Sequence, residues 1–262
     1  MNEGVKFTYI DLFAGIGGFH IAADELGGQC VFASEIDAEA KRAYKENYKT
    51  EPQGDITQIV ASEIPDHDVL LAGFPCQPFS IIGKKRGFDD MRGTLFFEIA
   101  RILEEKRPKM FVLENVKQLK THNNGETLKT ILKTLEDLDY KVYNEVLNAL
   151  DFGLPQKRER IIIAGFLNKS VNFSFPHPKL PGKLEDILEA DDAIDAKHFA
   201  SKTIVKKRKA KHKSEYYPGI WHENKGSAIS SYPYSCALRA GASYNYLLVN
   251  GIRRLTPREM LR

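Results

Sequence analysis

Six short apolar runs constrain what this chain can fold into more than any other feature. They are Thr8 to Phe13, Cys30 to Ser34, Asp68 to Ala72, Met110 to Leu113, Lys141 to Ala149 and Ile161 to Phe166. Runs this short and this apolar read as strands buried on both faces. Helical segments lie between several of them. Thr94 to Lys106 places Leu95, Phe96, Ile99, Ile102 and Leu103 on one face before Pro108 stops it, and Leu128, Ile131, Leu132, Leu135 and Leu138 form a second amphipathic stripe. Strands alternating with helices imply an α/β fold, a largely parallel sheet covered on both faces. A chain of 262 residues suffices for one such domain with a small appendage.

In open α/β sheets, ligands and reacting groups gather at the carboxyl ends of the strands. Four strand ends here are punctuated accordingly. The first run opens into Ala14-Gly15-Ile16-Gly17-Gly18, a glycine turn that lets backbone approach a ligand at a helix start. The second ends in Glu35, about 20 residues beyond Gly15, where a ribose-binding acid is expected. Asp55 follows in Gly54-Asp55-Ile56-Thr57. Each acid alone reads equally well as a solvated strand-end charge, but together they favour a nucleoside cofactor. The turn lacks the full dinucleotide fingerprint, which points away from NAD. The third run enters Gly73-Phe74-Pro75-Cys76-Gln77-Pro78-Phe79-Ser80. A free cysteine is usually a small buried hydrophobe; one flanked by Pro75 and Gln77-Pro78 at a strand end reads better as a nucleophile. The fourth ends in Glu114-Asn115-Val116, a carboxylate at the same edge.

After Asn168 the alternation stops. Prolines and tyrosines accumulate, and the run Lys206-Lys207-Arg208-Lys209-Ala210-Lys211-His212-Lys213 appears. Such a run is usually a solvated face; beside aromatics on a separate small domain it suits phosphate contacts. Domain boundaries are placed at 1–167, 168–251 and 252–262. Net charge is only +3, so global charge says little about partners. Cys30, Cys76 and Cys236 are odd in number and far apart, which argues for a reducing compartment and against a disulfide framework. No Cys/His spacing suggests a metal, and neither a signal core nor a membrane span is legible, so a cytoplasmic protein is expected.

The ordered series Asp11 to Gly18, Gly73 to Ser80, Glu114 to Val116, Gln156-Lys157-Arg158-Glu159-Arg160 and Arg254 to Glu259 closely resembles the DNA cytosine-5 methyltransferases of bacterial restriction–modification systems. The resemblance is collinear and spans nearly the whole chain. It implies a Rossmann-like, S-adenosylmethionine-dependent sheet, a small irregular target-recognition domain and double-stranded DNA as substrate. It also implies roles. Cys76 would attack carbon 6 of a flipped-out cytosine. Glu114 would bind the ring edge, and Arg160 with Arg158 would contact the base or its phosphate. Phe13, Gly15, Gly17, Glu35, Ile36, Asp55, Ile56 and Leu95 would line the cofactor pocket. Gln77, Ser80, Lys206, Lys207, Arg208 and Lys209 would contact DNA, and Ser80 to Arg92 would form a lid.

Members of that family continue past the Arg254-to-Arg262 stretch to a further Gly-Asn-Ser-Val-like motif. The expectation is therefore that residues 1–262 alone are inactive or nearly so. A second polypeptide would then supply the remainder, or the chain would be a truncated gene product. Two alternatives stay open: methylation of a structured RNA, and a relic that binds DNA or a partner without turnover.

Overall fold

The computed structural model of the chain describes residues 5–75, 95–180, 182–238 and 245–261. The chain divides into two compact units, Met1–Val146 with Arg160–Phe175, and Leu147–Glu159 with Pro176–Arg262. The units interleave in sequence, and residues 252–262, expected to begin a return to the first domain, cluster with the second.

The first unit runs β1 (Phe7–Leu12), α1 (Gly18–Glu25), β2 (Gly28–Ser34), α2 (Ala38–Tyr48), β3 (Val69–Gly73), α3 (Leu95–Lys106), β4 (Met110–Val116), α4 (Glu126–Asp137) and β5 (Lys141–Asn148). After β6 (Gln156–Lys157), which pairs in the second unit, β7 (Glu159–Phe166) completes the sheet. The strand order is β2-β1-β3-β4-β7-β5. The pairs β1–β2, β1–β3 and β3–β4 are parallel, while β4–β7 is antiparallel. Parallel neighbours need long crossovers, and the helices α1 to α3 supply them.

Alternation along β1 sorts the core. Ile10 and Leu12 are fully buried in one cluster with Phe96, Ile99, Ile102 and Leu103 of α3 and Leu128, Ile131 and Leu135 of α4. Both helical stripes legible in the sequence are therefore the faces that cover the sheet, each buried side chain contributing about 1.5–3 kcal/mol. Tyr9 faces the other way and clusters with Ala23 of α1 and Leu71 of β3. One boundary differs from expectation. The apolar run of β4 ends at Leu113, whereas the strand continues through Glu114 to Val116, because β7 pairs with it at Glu114↔Ile162 and Val116↔Arg160. Glu114 thus stands within the sheet rather than just beyond it.

The second unit contains α5 (Leu184–Ile187), α6 (Lys202–Lys211), β8 (Ile220–Glu223), β9 (Ile229–Tyr232), β10 (Ser235–Cys236), β11 (Leu247–Val249) and α7 (Pro257–Leu261). Strands β11-β8-β9 form an antiparallel sheet, and β10 pairs with β6. Its apolar core is small: Leu184, Ile220, Leu247, Val249 and Leu255. A buried ionic knot supplements it. Arg253, 1% exposed, gives bidentate hydrogen bonds to Glu259 at 2.9 and 3.0 Å and a third to Asp191 at 2.5 Å. Glu259 also accepts from the backbone amides of Thr256 (2.8 Å) and Glu189 (2.7 Å), while its own amide donates to Thr256 Oγ1 at 3.1 Å. Thr256 and Glu259 thereby form a reciprocal cap at the start of α7. No described helix is long and apolar enough to cross a membrane.

Removing one partner of such a knot strands the other charge in the interior. Arg253→Ala should therefore destabilise the second unit by about 3–5 kcal/mol. Urea unfolding followed at Trp221, which lies in the same unit, measures this. A loss under about 1 kcal/mol would mean that the knot contributes no more than a surface pair.

Candidate functional site

The carboxyl ends of β1, β2 and β3 open into a cleft of about 560 Å³, within the range of small-molecule sites. Its walls come from Phe13, from Ser34 to Ile36, from Gly54 to Thr57, and from Gly73, Pro75 and Leu95. Of the residues expected to form a cofactor wall, Phe13, Glu35, Ile36, Asp55, Ile56 and Leu95 line it. Phe13 holds a left-handed backbone conformation at φ 55°, uncommon for a bulky residue and characteristic of ligand sites.

Gly15 and Gly17 stand outside the lining and act on it from behind. The Gly15 amide donates to Glu35 Oε2 at 2.7 Å, and the amides of Ile36 and Asp37 donate to Oε1 at 2.8 Å each. Glu35 is thus locked in place by three backbone donors, with lone pairs remaining for a ligand. Gly17 caps α1 with φ 93° and faces Tyr48: a Cβ there would lie 2.1 Å from the Tyr48 ring. The Tyr48 hydroxyl donates to the Gly17 carbonyl at 2.9 Å, and its ring stacks on His20 with centroids 3.9 Å apart. His20 in turn shares a 2.5 Å hydrogen bond with the Tyr44 hydroxyl and pairs with Asp24 at 3.1 Å. Burial pushes the His20 imidazole below its ordinary range, with Asp24 opposing. A polar and aromatic network between α1 and α2 therefore braces the turn.

Asp11 lies beneath the same turn. It is fully buried, and neither carboxyl oxygen has a hydrogen-bond partner among the described residues. Burial, reinforced by the Glu35 carboxylate, pushes its pKa up to about 8. Ser34 also contributes to the cleft wall, and its hydroxyl is likewise buried without a partner among the described residues. An orphaned hydroxyl, two acids and an apolar floor suit a ligand with a ribose, a base and a charged tail, as S-adenosylmethionine has.

Beside the cleft, β3 and β4 pair at Gly73↔Glu114. Glu114 Oε1 receives the Arg160 guanidinium of β7 at 2.7 Å, with both side chains about a quarter exposed. Asn115, buried at 2% exposure, donates from its amide to the Phe74 carbonyl at 3.0 Å and accepts from the Val116 amide at 2.8 Å. The chain entering Cys76 is thus tied down two residues before the cysteine. Cys76, Gln77, Ser80 and the expected lid, 80–92, lie outside the described residues.

Other expectations fare differently. Arg158 is exposed and belongs to the second unit, its backbone carbonyl accepting from the Ala149 amide at 3.0 Å, while Arg160 reaches Glu114. Lys206, Lys207 and Lys209 are exposed on α6. Arg208 is not a surface contact: it is 2% exposed, donates to Glu223 at 2.7 Å and binds the Asn245 carbonyl. Its place in the helix turns it inward, where Glu223 of β8 neutralises it. Sequence reasoning misses Ser34, Tyr48 and the tie from Asn115. Ser34 stands in view beside Glu35, and Asn115 within Glu114-Asn115-Val116; nothing local marks Tyr48.

Comparison with known proteins agrees with this geometry. Residues 7–262 match the family model described as C-5 cytosine-specific DNA methylase. The chain is 56% identical over 258 residues to the type II methyltransferase M.NgoBI of Neisseria gonorrhoeae, covering 98% of this chain and 81% of that protein. It is 56% identical over 261 residues to the type II methyltransferase M.HaeII of Haemophilus aegyptius, with the same coverages of 98% and 81%. Among solved structures, a mutant of Spodoptera frugiperda DNMT2 superposes with a TM-score of 0.62 at 26% identity, over 76% of this chain and 63% of that one.

The buried acid yields a pH test. Asp11 keeps its proton in the folded chain up to about pH 8, whereas in the unfolded chain it ionises near its ordinary value of 3.8. Between these limits the folded state binds more protons, so stability falls as pH rises, by about 1.4 kcal/mol per unit for one full proton. Asp11→Asn should flatten the decline between pH 5 and 8, measured by denaturant unfolding with circular dichroism. An unchanged slope would assign the decline to other groups.

Proposed function

The chain belongs to the C-5 cytosine-specific DNA methylases, and on that premise we propose that Cys76, Glu114 and Arg160 carry methyl transfer to a cytosine within a specific duplex sequence. The methyl donor is S-adenosylmethionine, whose sulfonium centre supplies the methyl group; Glu35, Asp55, Ser34 and Phe13 are the residues that would hold it. Carbon 5 of cytosine is too weakly nucleophilic to take a methyl group unaided. Addition of the Cys76 thiolate to carbon 6 makes it enamine-like, splitting one hard step into two. After transfer, loss of the proton from carbon 5 and departure of Cys76 restore the aromatic ring. A proton held between the Glu114 carboxyl and N3 offsets the negative charge that thiolate addition drives there, the exocyclic amine donates to the same carboxyl, and Arg160 holds that carboxyl in position. These atoms are covered by stacking in a duplex, so the base is flipped out.

The observation that carries this reading is the register Gly73↔Glu114 together with the 2.7 Å Glu114–Arg160 pair, which sets a braced carboxyl beside the strand that feeds Cys76. We assign target recognition to the second unit, with Lys206, Lys207 and Lys209 on backbone phosphates. The biological role would be protection of DNA from a cognate endonuclease.

Two outcomes test the assignment. With the C-terminal segment of a relative supplied in trans, duplexes with 5-fluorocytosine at the target should trap a denaturation-resistant adduct with the wild-type chain and none with Cys76→Ala, because fluorine cannot leave as a proton does; an adduct in the variant would move the nucleophile elsewhere. Glu114→Gln should lower kcat roughly 10²-fold, the loss typical of a charge-stabilising group. Full turnover in that variant would make Glu114 a structural partner of Arg160 only.

A further inference from the structure

The second unit holds a cavity of about 560 Å³ at the carboxyl end of α6. Lys209, His212 and Lys213 form one side, Tyr216 and Tyr217 another, and Trp221 of β8 a third. Helix α6 carries Lys202, Lys206, Lys207, Lys209 and Lys211 with no acidic residue, and its only other cation, Arg208, is already matched by Glu223. Like charges three and four residues apart repel, and neither Lys209 nor Lys213 has an ion pair among the described residues. Cations in the last turn complement the helix dipole, and Lys209 and Lys213, having no ion pair, keep their charge available to a phosphate.

The aromatic side is built as firmly as the cationic one is open. The Trp221 ring packs edge-on to His212 at 4.9 Å, and His212 Nε2 is fixed to Ser231 Oγ at 2.9 Å. Gly251 permits this packing, since a Cβ there would lie 2.8 Å from the indole. Ser214 Oγ both donates to the Tyr216 carbonyl and accepts from the Tyr216 amide, at 3.0 Å each, which fixes the loop presenting the two tyrosines. Tyr217 is 85% exposed, a large aromatic face left in solvent beside two cations. One carboxylate, Glu215, also lines the cavity, so a bare polyanion is a poor match. A carboxylate accepts from the exocyclic amine of adenine or cytosine, which suits a base-bearing ligand better.

We infer that this cavity takes one nucleotide of single-stranded DNA, its base against Tyr217 and its flanking phosphates on Lys209 and Lys213. The inference rests on the reading of the chain as a DNA-acting enzyme, but it needs neither the first unit's cleft nor a target cytosine. Single-strand sites generally combine a cationic track with aromatic platforms in this way. The cavity would give the second unit a hold on a strand that has left the duplex.

Trp221 is the only tryptophan in the chain, so its emission reports on this cavity directly. The full chain is titrated with octadeoxyadenylate, which contains no cytosine, and binding is followed both by Trp221 emission and by anisotropy of an end-labelled octamer. The two signals should saturate together. Tyr217→Ala, at a site too exposed to endanger the fold, should weaken binding about 10-fold. Lys209→Gln with Lys213→Gln should lower the log–log salt slope by about 0.7 for each phosphate no longer neutralised. Octamer binding that leaves Trp221 emission unchanged, or no octamer binding at all, would overturn the inference. Methyl transfer to cytosine-containing duplexes, run on the same sample, reports on the earlier reading alone.

Discussion

The register of β3 on β4 is the constraint on which the site depends. Parallel pairing sets Gly73 opposite Glu114, so the strand that leads to the nucleophile and the strand that carries the carboxyl end side by side. A slip of one residue would turn Glu114 to the opposite face. Two further bonds hold the arrangement. Arg160 reaches Glu114 because β7 lies antiparallel on β4, and Asn115 reaches back to the Phe74 carbonyl. The chemistry proposed for the chain therefore rests on backbone pairing first and on side-chain identity second.

The cleft next to it follows the same logic with a different brace. Glu35 is held by the Gly15, Ile36 and Asp37 amides, and the turn carrying Gly15 is held by Tyr48 through Gly17. Among the described residues, β1 and β2 carry buried groups without partners only at this corner, at Asp11 and Ser34. Proteins accept that cost where a ligand or a reaction needs the group. In the second unit the ionic knot of Arg253 and Glu259 stabilises a core with few apolar side chains.

Much of this is legible in the chain, and the limits have physical reasons. Strand ends can be located because buried strands are apolar and their ends are not, which marks Glu35 and Asp55 from the pattern alone, whereas Phe13 and Leu95 come to the same cleft only through the family resemblance. The extent of β4 is not legible, since Glu114 and Asn115 look like the end of a buried run until β7 is known to pair beyond Leu113. Arg208 shows a second limit. In an unbroken basic run, composition cannot say which side chain turns inward; that depends on Glu223 and Asn245, each distant in sequence. Tyr48 shows a third, because its partner Gly17 is 31 residues away and no local pattern connects them.

The central claim is that this fold directs a methyl group to carbon 5 of cytosine. It is tested most directly by incubating the chain, supplemented with the separately expressed C-terminal segment of a relative, with tritium-labelled S-adenosylmethionine and mixed-sequence duplex DNA, digesting to nucleosides and identifying the labelled species by chromatography and mass. The account predicts label in 5-methyldeoxycytidine. Label in N4-methyldeoxycytidine or N6-methyldeoxyadenosine would contradict it, because neither product calls for a thiolate at carbon 6.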